Sequence, residues 1–177
     1  MRLVLIAALA AATPVLAEDE AVGTLNPEEL TINRILEDAE NGVTSMTSCA
    51  AGYFITKSGR HVEARKLFSR CADAGYTGAM TWMSQLDDNG LGAAENPDSA
   101  ADWDLRAAEA GDPVGMYNYG LDLMRGRGRV QDVEAGRALV DRAATAGLPT
   151  ARRLQAAGYD LDEVTPDADN WKYAPLF

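Results

Sequence analysis

Three Ala-Gly pairs, Ala74-Gly75, Ala110-Gly111 and Ala146-Gly147, fall 36 residues apart twice over. Self-similarity at a period of roughly 20 to 50 residues marks stacked supersecondary units, each unable to bury its apolar face alone. The residues between the pairs keep the same register. Cys71-Ala72 recurs as Ala107-Ala108 and Ala143-Ala144, Ala79 as Gly115 and Ala151, and Ala64 as Ala100 and Gly136. Gly90-Leu91-Gly92 recurs as Gly126-Arg127-Gly128.

Caps and periodicity turn this register into helices. Asn26-Pro27-Glu28-Glu29 reads as an N-cap, a proline at the first helical position and an acidic third position, which predicts a helix over about 27–41 ending at Asn41-Gly42. Val43, Met46, Cys49, Ala50, Tyr53 and Phe54 form an i, i+3, i+4, i+7 stripe that predicts a helix over 44–57. A third helix over 61–74 carries Val62, Ala64, Leu67, Phe68, Cys71 and Ala72, with Gly75 placed to turn left-handed behind it. The same alternation predicts helices over 77–88, 97–110, 113–125, 132–146 and 149–157. The expected fold class is therefore all-α: an α/α solenoid of antiparallel helix pairs, about three repeats with a half repeat at each end.

The first 17 residues pair Arg2 with an apolar run over Leu3–Ala12 and small residues at Ala17 and Val15 ahead of Glu18, the pattern of a secretory signal peptide cleaved after Ala17. The run is shorter than the roughly 20 residues a membrane span needs. The expected organisation is a signal peptide at 1–17, an N-terminal segment and capping helix at 18–41, the solenoid at 42–158, and an acidic then aromatic tail at 159–177. That tail reads as a cap for the open end of the solenoid, or as a docking peptide. Export implies a periplasmic or secreted location. Loss of residues 1–17 removes Arg2 and no acid, taking the net charge from −11 to −12, a balance that disfavours nucleic acid and anionic membranes as partners.

Cys49 and Cys71 are the two cysteines. In an oxidising compartment such a pair is expected to close, and a separation of 22 residues suits a bridge between adjacent antiparallel helices. Two buried free thiols are the alternative.

The pattern Ala79-x-x-x-Met83-Ser84, Gly90-x-Gly92, Pro97-Asp98, Ala100, Trp103, Ala107-Ala108, Ala110-Gly111 resembles the Sel1-like repeat, a relative of the tetratricopeptide repeat. A second copy runs Gly115-x-x-x-Tyr119-Gly120, Gly126-x-Gly128-x-Val130, Asp132, Ala143-Ala144, Ala146-Gly147. The resemblance covers about residues 42–157 and implies binding rather than chemistry: a protein or peptide partner held on a concave face lined by the first helix of each pair. Thr81, Trp82 and Gln85, with Tyr117, Asn118 and Leu121 one repeat on, are the expected exposed groove positions, with packing between repeats as the alternative for Trp82 and Tyr117. Exported members often carry a disulfide joining the two helices of a repeat, and Cys49 and Cys71 fit that habit. Asp87 departs from the pattern, standing where the repeat carries an apolar residue such as Leu123, which implies a looser second repeat.

Catalysis finds few parts. His61, the single histidine, starts a helix, and one His with two cysteines expected to pair supplies too few ligands for a zinc site built from them. Asp87-Asp88, Asp102, Asp104, Asp160, Asp162 and Glu163 fall at positions expected to be solvated, and the ligand spacing of a calcium hand is missing. Some Sel1-like proteins are described as acting on β-lactams. That chemistry needs Ser-x-x-Lys, which does not occur here, although Lys57-Ser58-Gly59 mimics another of its elements. Arg125, Arg127 and Arg129 surround repeat glycines and read as a basic loop that could meet an acidic partner. No cofactor or metal is implied. The expected function is a non-enzymatic interaction module of the cell envelope. The alternatives are a cell-wall or β-lactam hydrolase and an assembly subunit docking by its tail.

Overall fold

The computed structural model describes residues 31–163. The signal peptide, the Asn26-Pro27 helix start and the tail beyond Glu163 lie outside these residues. Eight α-helices follow one another among the described residues, with no strand: α1 (Ile32–Glu40), α2 (Met46–Lys57), α3 (His61–Asp73), α4 (Thr77–Asp88), α5 (Pro97–Glu109), α6 (Pro113–Arg125), α7 (Val133–Thr145) and α8 (Pro149–Ala156). Each packs against its successor from α2 onward, while α1 lies against α3 as well as α2 and α4 touches α6. The result is two rows, α2, α4, α6 and α8 as first helices and α1, α3, α5 and α7 as second helices, as the 36-residue register predicts.

Local chemistry sets the boundaries. Thr31 is extended and its hydroxyl accepts from Arg34 N at 3.2 Å, so α1 begins at Ile32. Ser45 and Ser48 close a capping box on α2. Asn96, Asp112 and Asp132 accept from the first-turn amides of α5, α6 and α7. After α3, α5 and α7 the chain turns through Gly75, Gly111 and Gly147 with φ of 90°, 88° and 101°.

The core divides in two. One cluster centres on Ile55, Leu67, Phe68 and Leu86, the other on Val140, Ala143, Ala151 and Leu154. Small residues bring the backbones together. Gly52 lies under the Phe68 ring with no room for a Cβ, and a Cβ on Gly120 would stand 2.8 Å from the Gly136 carbonyl oxygen. The loop glycines act alike in successive repeats: Gly92 packs on the His61 backbone at the start of α3, and Gly128 on the Pro97 backbone at the start of α5.

Cys49 and Cys71 form a disulfide between α2 and α3 with their Cα atoms 5.8 Å apart, the closed alternative of the two the sequence leaves open. The stripe that marks α2 is mostly not its buried face: Val43, Met46, Ala50, Tyr53 and Phe54 are exposed, and α2 buries Cys49, Gly52, Ile55 and Thr56 instead. The disulfide and the close fit of Phe68 over Gly52 fix that face inward, leaving the longer apolar stripe outside. Nor is the second repeat loosened at Asp87: its side chain is buried, ion-paired to Arg65 and accepting from Ser99 Oγ at 2.6 Å, so one carboxylate ties α3, α4 and the start of α5 together.

Candidate interaction face

The first helices place a row of aromatic groups along one side of the two amino-terminal pairs. Trp82 on α4 stacks on Phe68 with centroids 5.8 Å apart and planes 3° from parallel. Tyr53 on α2 meets Trp82 edge-on at 5.5 Å and its neighbour Phe54 at 5.4 Å. Phe54 is 70% exposed and Met46 76%, an unusual presentation of large apolar side chains. Lys57 lies 5.8 Å from the Tyr53 ring centroid.

The six expected groove residues are placed differently from one another. Thr81 and Gln85 are partly exposed, Thr81 donating to Gly78 O at 3.0 Å. Trp82 is half-buried, its one face on Phe68. Tyr117 is half-buried against the second core cluster, and burial raises its hydroxyl pKa while Arg125 and Arg153 pull it back. Asn118 turns inward and donates from Nδ2 to Asp104 Oδ1 at 3.2 Å. Leu121 is buried, 7% exposed, which corrects its assignment to the groove: it sits on the side of α6 that meets the second core cluster. Tyr53 and Phe54, which are not among those six, take a larger part in the face.

The arginine loop is largely engaged within the chain. Arg127 Nε lies 3.2 Å from Asp88 Oδ1 and its Nη2 3.4 Å from Glu95 Oε1, while also donating to Asp88 O at 3.1 Å. Arg129 pairs with Asp102 and donates to Asp98 O at 3.3 Å. These contacts fasten the loop after α6 onto α4, α5 and the loop between them. Arg125 is exposed beside Tyr117.

Behind the face lies a group of buried acids. Asp104 on α5 accepts from Ser84 Oγ of α4 at 2.5 Å and from Asn118 of α6, spanning three helices. Burial pushes its pKa up to about 8, against the lowering effect of both donors. Asp122 rises to about 7 because its carboxyl is buried, with the nearby Asp88 carboxylate adding to the effect, and its Oδ2 has no hydrogen-bond partner. Asp87 and Asp104 are thus buried rather than solvated as expected and Asp88 is partly exposed, whereas Asp102, Asp160, Asp162 and Glu163 are exposed. Sequence offers only a weak signal for Asp122: the repeat aligns it with the fully buried Leu86. Among the described residues no group of three or more His, Cys, Asp and Glu side chains is placed to hold a metal, and no helix is long and apolar enough to cross a membrane.

The solenoid closes on its own side chains. Tyr159 Oη donates to Asp141 Oδ1 at 2.5 Å, Gln155 donates to the same oxygen at 2.6 Å, and the Arg137 guanidinium sits 5.0 Å from the Tyr159 ring centroid. Tyr159 and Leu161 pack against the second core cluster, so the first residues of the tail supply a cap for α7 and α8.

No protein-family model matches the chain, and no curated protein matches it in sequence. Solved structures do match. The Sel1 repeat protein from Oxalobacter formigenes is similar at 19% identity and a TM-score of 0.63, over 80% of this chain and 57% of that one. Protein c5321, a protective antigen of uropathogenic Escherichia coli strains displaying an SLR fold, matches at 21% identity and 0.52, over 77% of this chain and 35% of its own. Cysteine rich protein B of Helicobacter pylori matches at 16% and 0.57, over 75% of this chain and 98% of its own. The chain thus spans little more than half of the first of these proteins and about a third of the second. At such identities the likeness is one of architecture, and with its repeat register and paired helices the chain has the Sel1-like repeat fold.

Proposed function

We propose that this chain is a non-enzymatic interaction module of the cell envelope, holding a protein or peptide partner on the face formed by its first helices. The observation that carries the reading is the exposed apolar row of Met46, Tyr53 and Phe54 continuing onto Trp82. Burying such surface releases about 25 cal/mol per Å², and rigid aromatic groups supply much of the energy of protein interfaces. Trp82 is held flat on Phe68 and Tyr53 is braced against it, so a partner would meet side chains already ordered. The charge pattern of residues 1–17 and the Cys49–Cys71 disulfide support an exported location.

The test is photo-crosslinking of the exported protein in its native envelope from probes at Tyr53 and Thr81, followed by pulldown. A discrete partner that Phe54→Ala and Tyr53→Ala release, with helicity unchanged, is the expected result. Undiminished capture by both variants would overturn the assignment of this face.

A further inference from the structure

Gly52, Ser84 and Gly120 hold one repeat position and face Phe68, Asp104 and Val140 at another. Gly52 lies under the Phe68 ring, Ser84 Oγ donates to Asp104 at 2.5 Å, and the Val140 side chain closes on Gly120. Two residues earlier in the same register, Ala50 corresponds to Trp82 and Asn118; two residues later, Phe54 corresponds to Leu86 and Asp122. In α4 and α6 these positions meet the second helix of the preceding pair or the interior: Trp82 stacks on Phe68 of α3, Asn118 donates to Asp104 of α5, and Leu86 and Asp122 are buried. In α2 they are open. The preceding helix, α1, lies mainly against α3, Ala50 is exposed, and Phe54 is 70% exposed. The outer stripe of α2 is thus a repeat-stacking surface without its neighbour.

That surface is complementary to itself. With ~3.6 residues per turn, Met46, Ala50, Phe54 and Lys57 project within about 40° of one direction. Ala50 stands one turn from Met46 on one side and one turn from Phe54 on the other, so the stripe reads large, small, large about Ala50. A two-fold axis through Ala50 lays a second α2 antiparallel on the first, with Phe54 of each copy on Met46 of the other, a favourable thioether and ring contact. The alanine at the crossing lets the helix axes approach to ~8 Å. Charge permits the meeting: the chain carries −11, yet α2 holds no acidic residue. Its one cation, Lys57, lies two turns from the axis, which keeps it roughly 20 Å from its copy. At the other end of the solenoid Tyr159 and Leu161 pack on the second core cluster and close it. Head-to-tail stacking therefore has no acceptor, and like surface meets like, a contact that stops at a dimer.

We propose that a second copy of this chain covers the outer stripe of α2, the two α2 helices crossing antiparallel about Ala50 with Phe54 of each on Met46 of the other. This rests on the reading of the α2 surface as an interaction face and names the partner at that end of it, while Tyr53, Trp82 and Thr81 continue the face along the first helices. One helix face is a small interface beside the ~800 Å² that each partner gives to a standard one, so the dimer is reversible and dissociates on dilution.

The experiment follows the molar mass of the purified exported protein by sedimentation equilibrium over a dilution series through the micromolar range. Association to a dimer and no further is expected. Phe54→Glu and Ala50→Arg, both at exposed positions, should each weaken it at least tenfold with helicity unchanged, while Val130→Glu, 90% exposed and outside α2, should not. With p-benzoylphenylalanine in place of Phe54, irradiation of a mixture of isotope-labelled and unlabelled protein is expected to join the probe of one copy to Met46 of the other. A monomer at every concentration, association undiminished in both Phe54→Glu and Ala50→Arg, or a probe product confined to one molecule would each overturn the proposal. Capture of an envelope partner from Tyr53 and Thr81 is read on different material, so a monomeric protein that still captures its partner fails only here, and a dimer that captures nothing fails only as an envelope adaptor.

Discussion

Arg65 on α3 forms an ion pair with Asp87 on α4 across the first repeat boundary, with only 19% and 3% of the two side chains exposed. Ser99 Oγ donates to the second carboxylate oxygen and Arg65 also reaches Leu91 O at 3.4 Å, so the pair is enclosed in a small polar network. Removing one member of a buried pair costs about 3–5 kcal/mol, because the other charge is left uncompensated, whereas replacing both with apolar groups is often neutral. Arg65→Met is accordingly expected to lose about that much stability in guanidinium denaturation. Adding Asp87→Leu, the residue type the next repeat carries as Leu123, should recover most of the loss. An Arg65→Met variant as stable as the parent would remove the pair from the account.

The Cys49–Cys71 bridge closes a loop with a sequence separation of 22 between α2 and α3. Chain-entropy reasoning gives a loop of this size about 3 kcal/mol. Both sulfurs lie in the first core cluster, so Cys49→Ala/Cys71→Ala leaves only small voids and isolates the cross-link term. Its unfolding midpoint should drop, and reduction of the parent should lower stability to a similar extent while exposing two thiols to titration. Equal midpoints for oxidised and reduced protein would contradict this.

Asp104 and Asp122 carry a pH dependence of definite sign. Their pKa values in the folded protein, about 8 and about 7, lie above the ordinary 3.8 that the unfolded chain retains. Between these limits the folded state holds protons that the unfolded chain has released, so the stability these groups contribute is full below about pH 4 and is lost as pH rises through 7 to 8. The slope approaches about 1.4 kcal/mol per pH unit for each group while it lasts. Asp141 and Glu63, lowered by their hydrogen bonds, act in the opposite direction, on the acid side of their ordinary 3.8 and 4.5. Asp104→Asn preserves the links to Ser84 and Asn118 and should flatten the decline between pH 5 and 8, measured by urea titration at each pH. General repulsion among the acids of a −11 chain would persist in that variant, so an unchanged slope would reassign the effect.

The repeat was the legible part, and the departures from it were not. Alanine pairs, Asn and Asp caps and left-handed glycines are local signals, which is why helix ends from α2 to α8 are readable within a residue or two. Burial is a tertiary property. Met46, Ala50, Tyr53 and Phe54 show a helical apolar period as convincing as the core's, yet only the packing of Phe68 over Gly52 and the bridge at Cys49 decide which side of α2 turns inward. Asp87, Asp104 and Asp122 look like surface acids because the partners that admit them, Arg65, Ser84 and Asn118, are 14 to 22 residues away or, for Asp122 Oδ2, absent.

A glycine with no room for a Cβ and one with open space around it should respond oppositely to alanine. Gly120 on α6 faces the Gly136 carbonyl oxygen of α7, where an added Cβ would stand 2.8 Å away, and the Val140 side chain at 3.2 Å leaves no direction of escape. Moving backbone to admit a methyl costs about 1–3 kcal/mol, more than the up to about 1 kcal/mol that alanine gains in helix propensity. Gly120→Ala should therefore lower the unfolding midpoint. Gly78 lies in the first turn of α4 with nothing within 4 Å of a would-be Cβ, so only the propensity term operates. Gly78→Ala should raise stability by a few tenths to about 1 kcal/mol. Thermal denaturation of the two variants side by side checks the pair, and a destabilised Gly78→Ala or a neutral Gly120→Ala would contradict the close approach of α6 and α7 as the reason these helices carry glycine.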